Sequence, residues 1–116
     1  MNVDDIIVNL KVIGSIEPNQ RINTNGNFLN IECITIVPQS VKRWWREDSR
    51  DKCIKLIDQI VQHAITNDSI EIQSALQNCI VGMENLKQTY SSCIQTKARL
   101  DTIIDKISPN GDQLSE

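Results

Sequence analysis

The longest regular pattern in the chain lies in its carboxy-terminal third, where Ile72, Leu76, Cys79, Met83, Leu86, Tyr90, Cys93, Lys97, Leu100, Ile104 and Ile107 succeed one another in alternating steps of four and three. That spacing keeps every member on one stripe of a helix, and five heptads of it read as a coiled-coil seam in which Lys97 is the only charged residue. Asn67-Asp68-Ser69 supplies a stop for the preceding helix and a cap for the next one, no proline intervenes before Pro109, and Gly82 is the single glycine. The pattern predicts one long helix over residues 68–107, roughly 39 residues and about 58 Å at the helical rise.

Two helical patterns precede it. Over residues 3–13, Val3, Ile6, Ile7, Leu10 and Ile13 share a face, Asn2 is placed to cap, Asp4 and Asp5 meet the positive end of the dipole, and Gly14 ends the run. Helical periodicity is then lost to Pro18, to the cluster Asn23-Thr24-Asn25-Gly26-Asn27 and to the β-branched run from Ile31 to Val37. An Asn-Gly between apolar flanks signals a hairpin, so a turn with short strands or an extended segment is expected near residues 20–37. Ser40 can cap a short helical turn carrying Val41, Trp44 and Trp45, and Asp48 or Ser49 then opens a second main helix to about Thr66. Its apolar face, Cys53, Leu56, Ile57, Ile60, Val61, Ala64 and Ile65, is broad enough to pack on two sides. The resulting fold class is mostly α, a small helical bundle in one domain over 1–107, with a disordered tail over 108–116.

Length then becomes a functional argument. A second helix of about 18 residues covers about half of a 39-residue seam, and the first adds three turns. The alternatives are an internal core helix of a monomer, or a seam completed by a second copy or another protein, and the length favours the latter. Ile80, Ile94 and Ile103 widen the stripe beyond two heptad positions, which suits a bundle of three or four helices better than a two-stranded zipper. Leu76, Met83, Leu86, Tyr90, Leu100 and Ile104 are accordingly the expected contacts of that association.

Charge redirects attention to one segment. The chain carries a net charge of −3 and a pI near 5.1, which argues against a general nucleic-acid binder. Yet residues 42–52 hold Lys42, Arg43, Arg46, Arg50 and Lys52, five of twelve basic residues, together with both tryptophans, Trp44 and Trp45. Three readings are open: a tryptophan anchoring the amino-terminal segment onto the helices, a protein-binding hot spot built on Arg and Trp, or a nucleobase-stacking patch that makes nucleic acid the alternative partner. For the hot spot the expected contacts are Arg43, Trp44, Trp45, Arg46 and Arg50.

Other chemistry finds little footing. Cys33, Cys53, Cys79 and Cys93 form no C-x-x-C pair and have only His63 to help them, so free buried thiols are expected and no metal site or cofactor. His63 lies late in a helix without a nucleophile or partner base beside it, and no phosphate-binding glycine loop occurs, so no enzyme is expected. The opening Met-Asn-Val-Asp-Asp carries acid where a secretory signal carries base, and no apolar run approaches the ~18 residues of a membrane span. An intracellular protein without membrane contact is the expectation.

Leu10-Lys11-Val12-Ile13-Gly14-Ser15-Ile16-Glu17-Pro18-Asn19, the Asn-rich turn, and Val41-Lys42-Arg43-Trp44-Trp45-Arg46-Glu47-Asp48-Ser49-Arg50 running into an Ile-rich helix resemble an uncharacterised family of small helical proteins of nucleocytoplasmic large DNA viruses. The likeness covers residues 5–65, rests on R-W-W-x-x-x-x-R, and departs at Glu47, where glycine is expected. It implies a virus-encoded protein, a minor virion or capsid-associated component whose partners are itself or another viral protein. The 19 isoleucines against 7 leucines, with 11 asparagines, fit an A/T-rich coding sequence.

Overall fold

The computed structural model describes the backbone of residues 2–18, 20–25, 28–33 and 39–108, with side chains described over 2–18 and 50–108. In chain order the elements are α1 (Val3–Gly14), β1 (Gln20–Asn25), β2 (Phe28–Cys33), α2 (Gln39–Ile65), α3 (Ile70–Thr89) and α4 (Ile94–Ile107). The molecule is mostly helical, a small bundle with one antiparallel hairpin.

α1 begins as its sequence dictates. Asn2 Oδ1 accepts from the Asp5 amide at 2.8 Å, Asp4 and Asp5 fill the first turn, and Ile6, Ile7, Leu10 and Ile13 are buried. The hairpin pairs Gln20 with Cys33 through Asn25 with Phe28, with Arg21 opposite Glu32 and Ile22 opposite Ile31. Gly26 and Asn27, between the strands, lie outside the described residues, as do residues 34–38 and, beyond Ser108, the tail expected from the sequence.

Between Gln39 and Ile65 the structure has one helix in place of the expected short turn followed by a second start at Asp48 or Ser49. Neither glycine nor proline stands between Val41 and Ile65, so nothing obliges a break, and a cap-forming residue inside a helix need not act as a cap. The stop after Ile65 is the expected one. Asn67 Oδ1 accepts from the Ser69 amide at 2.8 Å, Ser69 Oγ caps α3 through the Ile72 amide, and Gln73 Nε2 donates to the Asn67 carbonyl at 2.6 Å.

The expected single helix over 68–107 is two helices. It runs unbroken through Gly82 and stops at Thr89; Tyr90, Ser91 and Ser92 turn, and α4 restarts at Ile94. Thr89-Tyr90-Ser91-Ser92-Cys93 is five consecutive residues of middling or poor helix propensity, and serines compete for backbone partners. The Cys93 amide donates to the Tyr90 carbonyl at 2.9 Å, closing the turn.

That turn folds α4 back along α3, where Lys87 reaches Asp101 and Glu84. α4 also lies beside α2: Arg99 Nη1 meets Asp51 Oδ1 at 2.9 Å and Lys106 Nζ meets Asp58 Oδ1 at 2.8 Å, each pair joining residues 48 positions apart. A constant offset means parallel helices, so α2, α3 and α4 form an up-down-up bundle. α1 completes it by crossing α3. A Cβ on Gly82 would lie 1.6 Å from the Ile13 carbonyl oxygen, so the backbones touch and only glycine fits. Asn85 Nδ2 holds the end of this crossing by donating to the Ile16 carbonyl at 2.9 Å.

The core sits between the four helices and takes Leu10, Ile13, Ile57, Ile60, Met83, Leu86 and Leu100 among its fully covered side chains. Each such side chain contributes about 1.5–3 kcal/mol through its removal from water. Asn9 is buried as well, its Nδ2 donating to the Asp5 carbonyl at 2.8 Å.

Candidate interaction site at the amino-terminal end of α2

The four–three stripe of α2 that faces the bundle is Cys53, Ile57, Ile60 and Ala64, all buried. Extended toward the amino terminus with the same steps, the stripe passes through positions 50, 46 and 43, which are arginines. One face of one helix therefore changes from apolar to arginine along its length. The offset of 48 between α2 and α4 brings Ile94, the first residue of α4, level with position 46. Positions 39–45 thus lie beyond the start of α4; of the hairpin, β1 packs against α2 and α3 and β2 against α1.

Arg50 is the described member of this stripe, and its surroundings are specific. It is half-buried, with its guanidinium carbon 5.7 Å from the centre of the Tyr90 ring, inside the range in which a cation gains about 0.5–1 kcal/mol from an aromatic face. Its Nε is buried and, among the described residues, has no hydrogen-bond partner. A buried donor without an acceptor costs about 1–3 kcal/mol, which the contact with the Tyr90 ring offsets in part.

The α3–α4 turn forms the other wall. Cys93, half-buried at the cap position of α4, has its Sγ 3.0 Å from Thr96 Oγ1. The Thr96 hydroxyl holds the thiol below its ordinary range, with the Arg50 charge acting in the same direction. Cys79, inside the core, is the opposite case: burial pushes its thiol up to about 12. None of Cys53, Cys79 and Cys93 is in a disulfide.

The sequence-predicted contacts divide into two groups. Arg43, Trp44, Trp45 and Arg46 lie on the backbone of the first turns of α2, and their side chains fall outside the described residues. Arg50 stands at the corner just described. The seam residues correct the expectation of an intermolecular stripe: Leu76, Met83, Leu86, Leu100 and Ile104 are buried within a single chain, and Tyr90 is half-buried beside Arg50. Breaking the helix at Tyr90 lets its two halves cover each other, with α1 and α2 closing the remainder. Among the described residues no continuous uncovered seam is left for a second copy.

Residues that sequence reasoning missed are Gly82, Asn85, Tyr90 and Cys93 in their actual roles. The lone glycine in a helical pattern was the available signal for the crossing with α1; nothing in the spacing separated Tyr90 and Cys93 from ordinary seam positions. His63 is exposed in the last turn of α2. Among the described residues no group of three or more His, Cys, Asp or Glu side chains is placed to hold a metal ion, and no helix is long and apolar enough to cross a membrane.

Comparison with protein-family models, with curated proteins and with solved structures finds no match for this chain.

Proposed function

We propose that the protein is a non-enzymatic protein-interaction module that docks a partner at the amino-terminal end of α2, against the corner made by Arg50 and the Tyr90–Cys93 turn. The observation that carries this reading is the change of character along one helix face, from buried Cys53, Ile57, Ile60 and Ala64 to arginine at 50, 46 and 43. A face that serves only to close a core has no use for three arginines; a face that meets a partner at its end does. Trp44 and Trp45 stand in the same turns and supply the aromatic area such hot spots use. The viral resemblance adds a setting, a minor virion or capsid-associated component whose partner is another virus-encoded protein.

A photo-crosslinking amino acid at position 45, compared with one at exposed Asp101, tests the reading in cells producing the partner. A discrete adduct at position 45 that is absent at 101 and lost on Arg43→Glu with Arg46→Glu is the expected result. Equal, diffuse labelling at both positions would remove this surface from consideration.

A further inference from the structure

We infer that the groove between α1 and α3 is a face on which two copies of this chain associate, about a two-fold axis that lies along the groove. It is separate from the Arg50 corner, because it opens on the amino-terminal half of α3 whereas Tyr90 caps the other end of that helix.

The groove has a volume of about 540 Å³; buried Leu10 and Ala75 and half-buried Gly14 line its inner part, and Ile70 stands at its edge 86% exposed. Val3, Val8, Ile70 and Val81 are four of the five large apolar side chains left exposed among the described residues, and all four belong to the two helices that form its walls. Val3 precedes Leu10 by seven positions and Val81 follows Asn78 by three, so apolar surface continues from the groove along both helices. A lone exposed valine needs no explanation, but such residues gathered around a groove mark an interaction surface.

Charge selects the occupant. Lys87, Arg99 and Lys106 are paired with carboxylates of their own chain, whereas Lys11 on one wall and Glu71 on the other are exposed and, among the described residues, without an ion-pair partner. A groove with a cation on one side and an anion on the other is complementary to itself. α1 and α3 run in the same general direction, Gly14 lying against Asn78 and Asn85 reaching Ile16, so a two-fold axis along the groove sets α1 of each copy over α3 of the other. Lys11 of each copy then meets Glu71 of the other, twice by symmetry, and each Ile70 is covered by the opposite α1. The apolar contact supplies most of the affinity, and the exposed ion pairs fix the orientation.

Sedimentation equilibrium on the full chain, from about 1 µM to 1 mM, tests this. A reversible dimer of twice the 13.2 kDa chain mass is expected. Ile70→Asp should weaken it about tenfold or more, and Lys11→Glu and Glu71→Lys each about threefold or more, because each charge variant sets like charges across the interface. An equimolar mixture of the two charge variants restores opposite charges at both pairs, so the mixture should regain the native strength. Thermal midpoints of these variants at the lowest concentration are expected to match the native chain; if Ile70→Asp lowers it, Ile70→Ser carries the comparison. A monomer at every concentration overturns the inference, as does a dimer that the Ile70 variants leave unchanged. A mixture that associates no better than either charge variant alone overturns the two-fold arrangement.

Discussion

Gly82 decides whether α1 can lie where it does. Its missing Cβ is the space occupied by the Ile13 carbonyl oxygen, and no rotamer change relieves a clash between two backbones. Gly82→Ala is therefore expected to lower unfolding free energy by about 3 kcal/mol or more in a urea titration, although alanine is the better helix former. Val81→Ala, one residue away on the exposed face, is expected to stay within about 0.5 kcal/mol. Cys79 gives a residue-scale dependence on pH. Its folded value, about 12, lies above the 9.0 of an unperturbed thiol, so the native state holds the proton more tightly. The associated stability is fully present below pH 9 and is lost as pH rises toward 12. Thermal midpoints measured from pH 8 upward are expected to fall more steeply in the native chain than in Cys79→Ala, whose curve starts lower and runs flatter.

At the scale of elements, the starts of α1 and α3 were legible because caps are local chemistry: Asn2, and the Asn67-Asp68-Ser69 stop and cap, act where the sequence placed them. The turn at Tyr90 was not, because the four–three spacing continues through it without a change of phase. A hydrophobic repeat reports which residues face inward and says nothing of whether they face inward from one helix or from two folded against each other. The five weak helix formers from Thr89 to Cys93 carried the missing information. One glycine inserted between Ser91 and Ser92 should be absorbed by the turn, with a cost within about 1 kcal/mol. The same insertion between Val81 and Gly82 rotates the rest of α3 by about 100° and should abolish cooperative unfolding. Similar losses from both insertions would contradict the observed break.

Over the whole molecule the burial of the seam changes what the surface can be used for. Leu76, Met83, Leu86, Leu100 and Ile104 now account for stability, and the stripe that suggested association is satisfied inside one copy. That burial does not bear on the segment read from charge and aromatic content, Arg43 through Arg50, because composition does not depend on how the helices are folded together. Its junction with Tyr90 comes from the reversal between α2 and α3, which brings positions 40 residues apart to one corner, whereas the break at Tyr90 that shapes this corner was hidden from the spacing.

The contact of Ile13 with Gly82 also has a consequence for how the chain is made. These residues are 69 positions apart, so α1 is made long before its berth on α3 exists. At ~5–20 residues per second the wait is roughly 3–14 s, with Ile6, Ile7, Leu10, Ile13 and Ile16 open to water or to whatever holds them. Of the four helices α1 is thus the first synthesised and among the last to dock, and these apolar residues are at their most aggregation-prone during that interval.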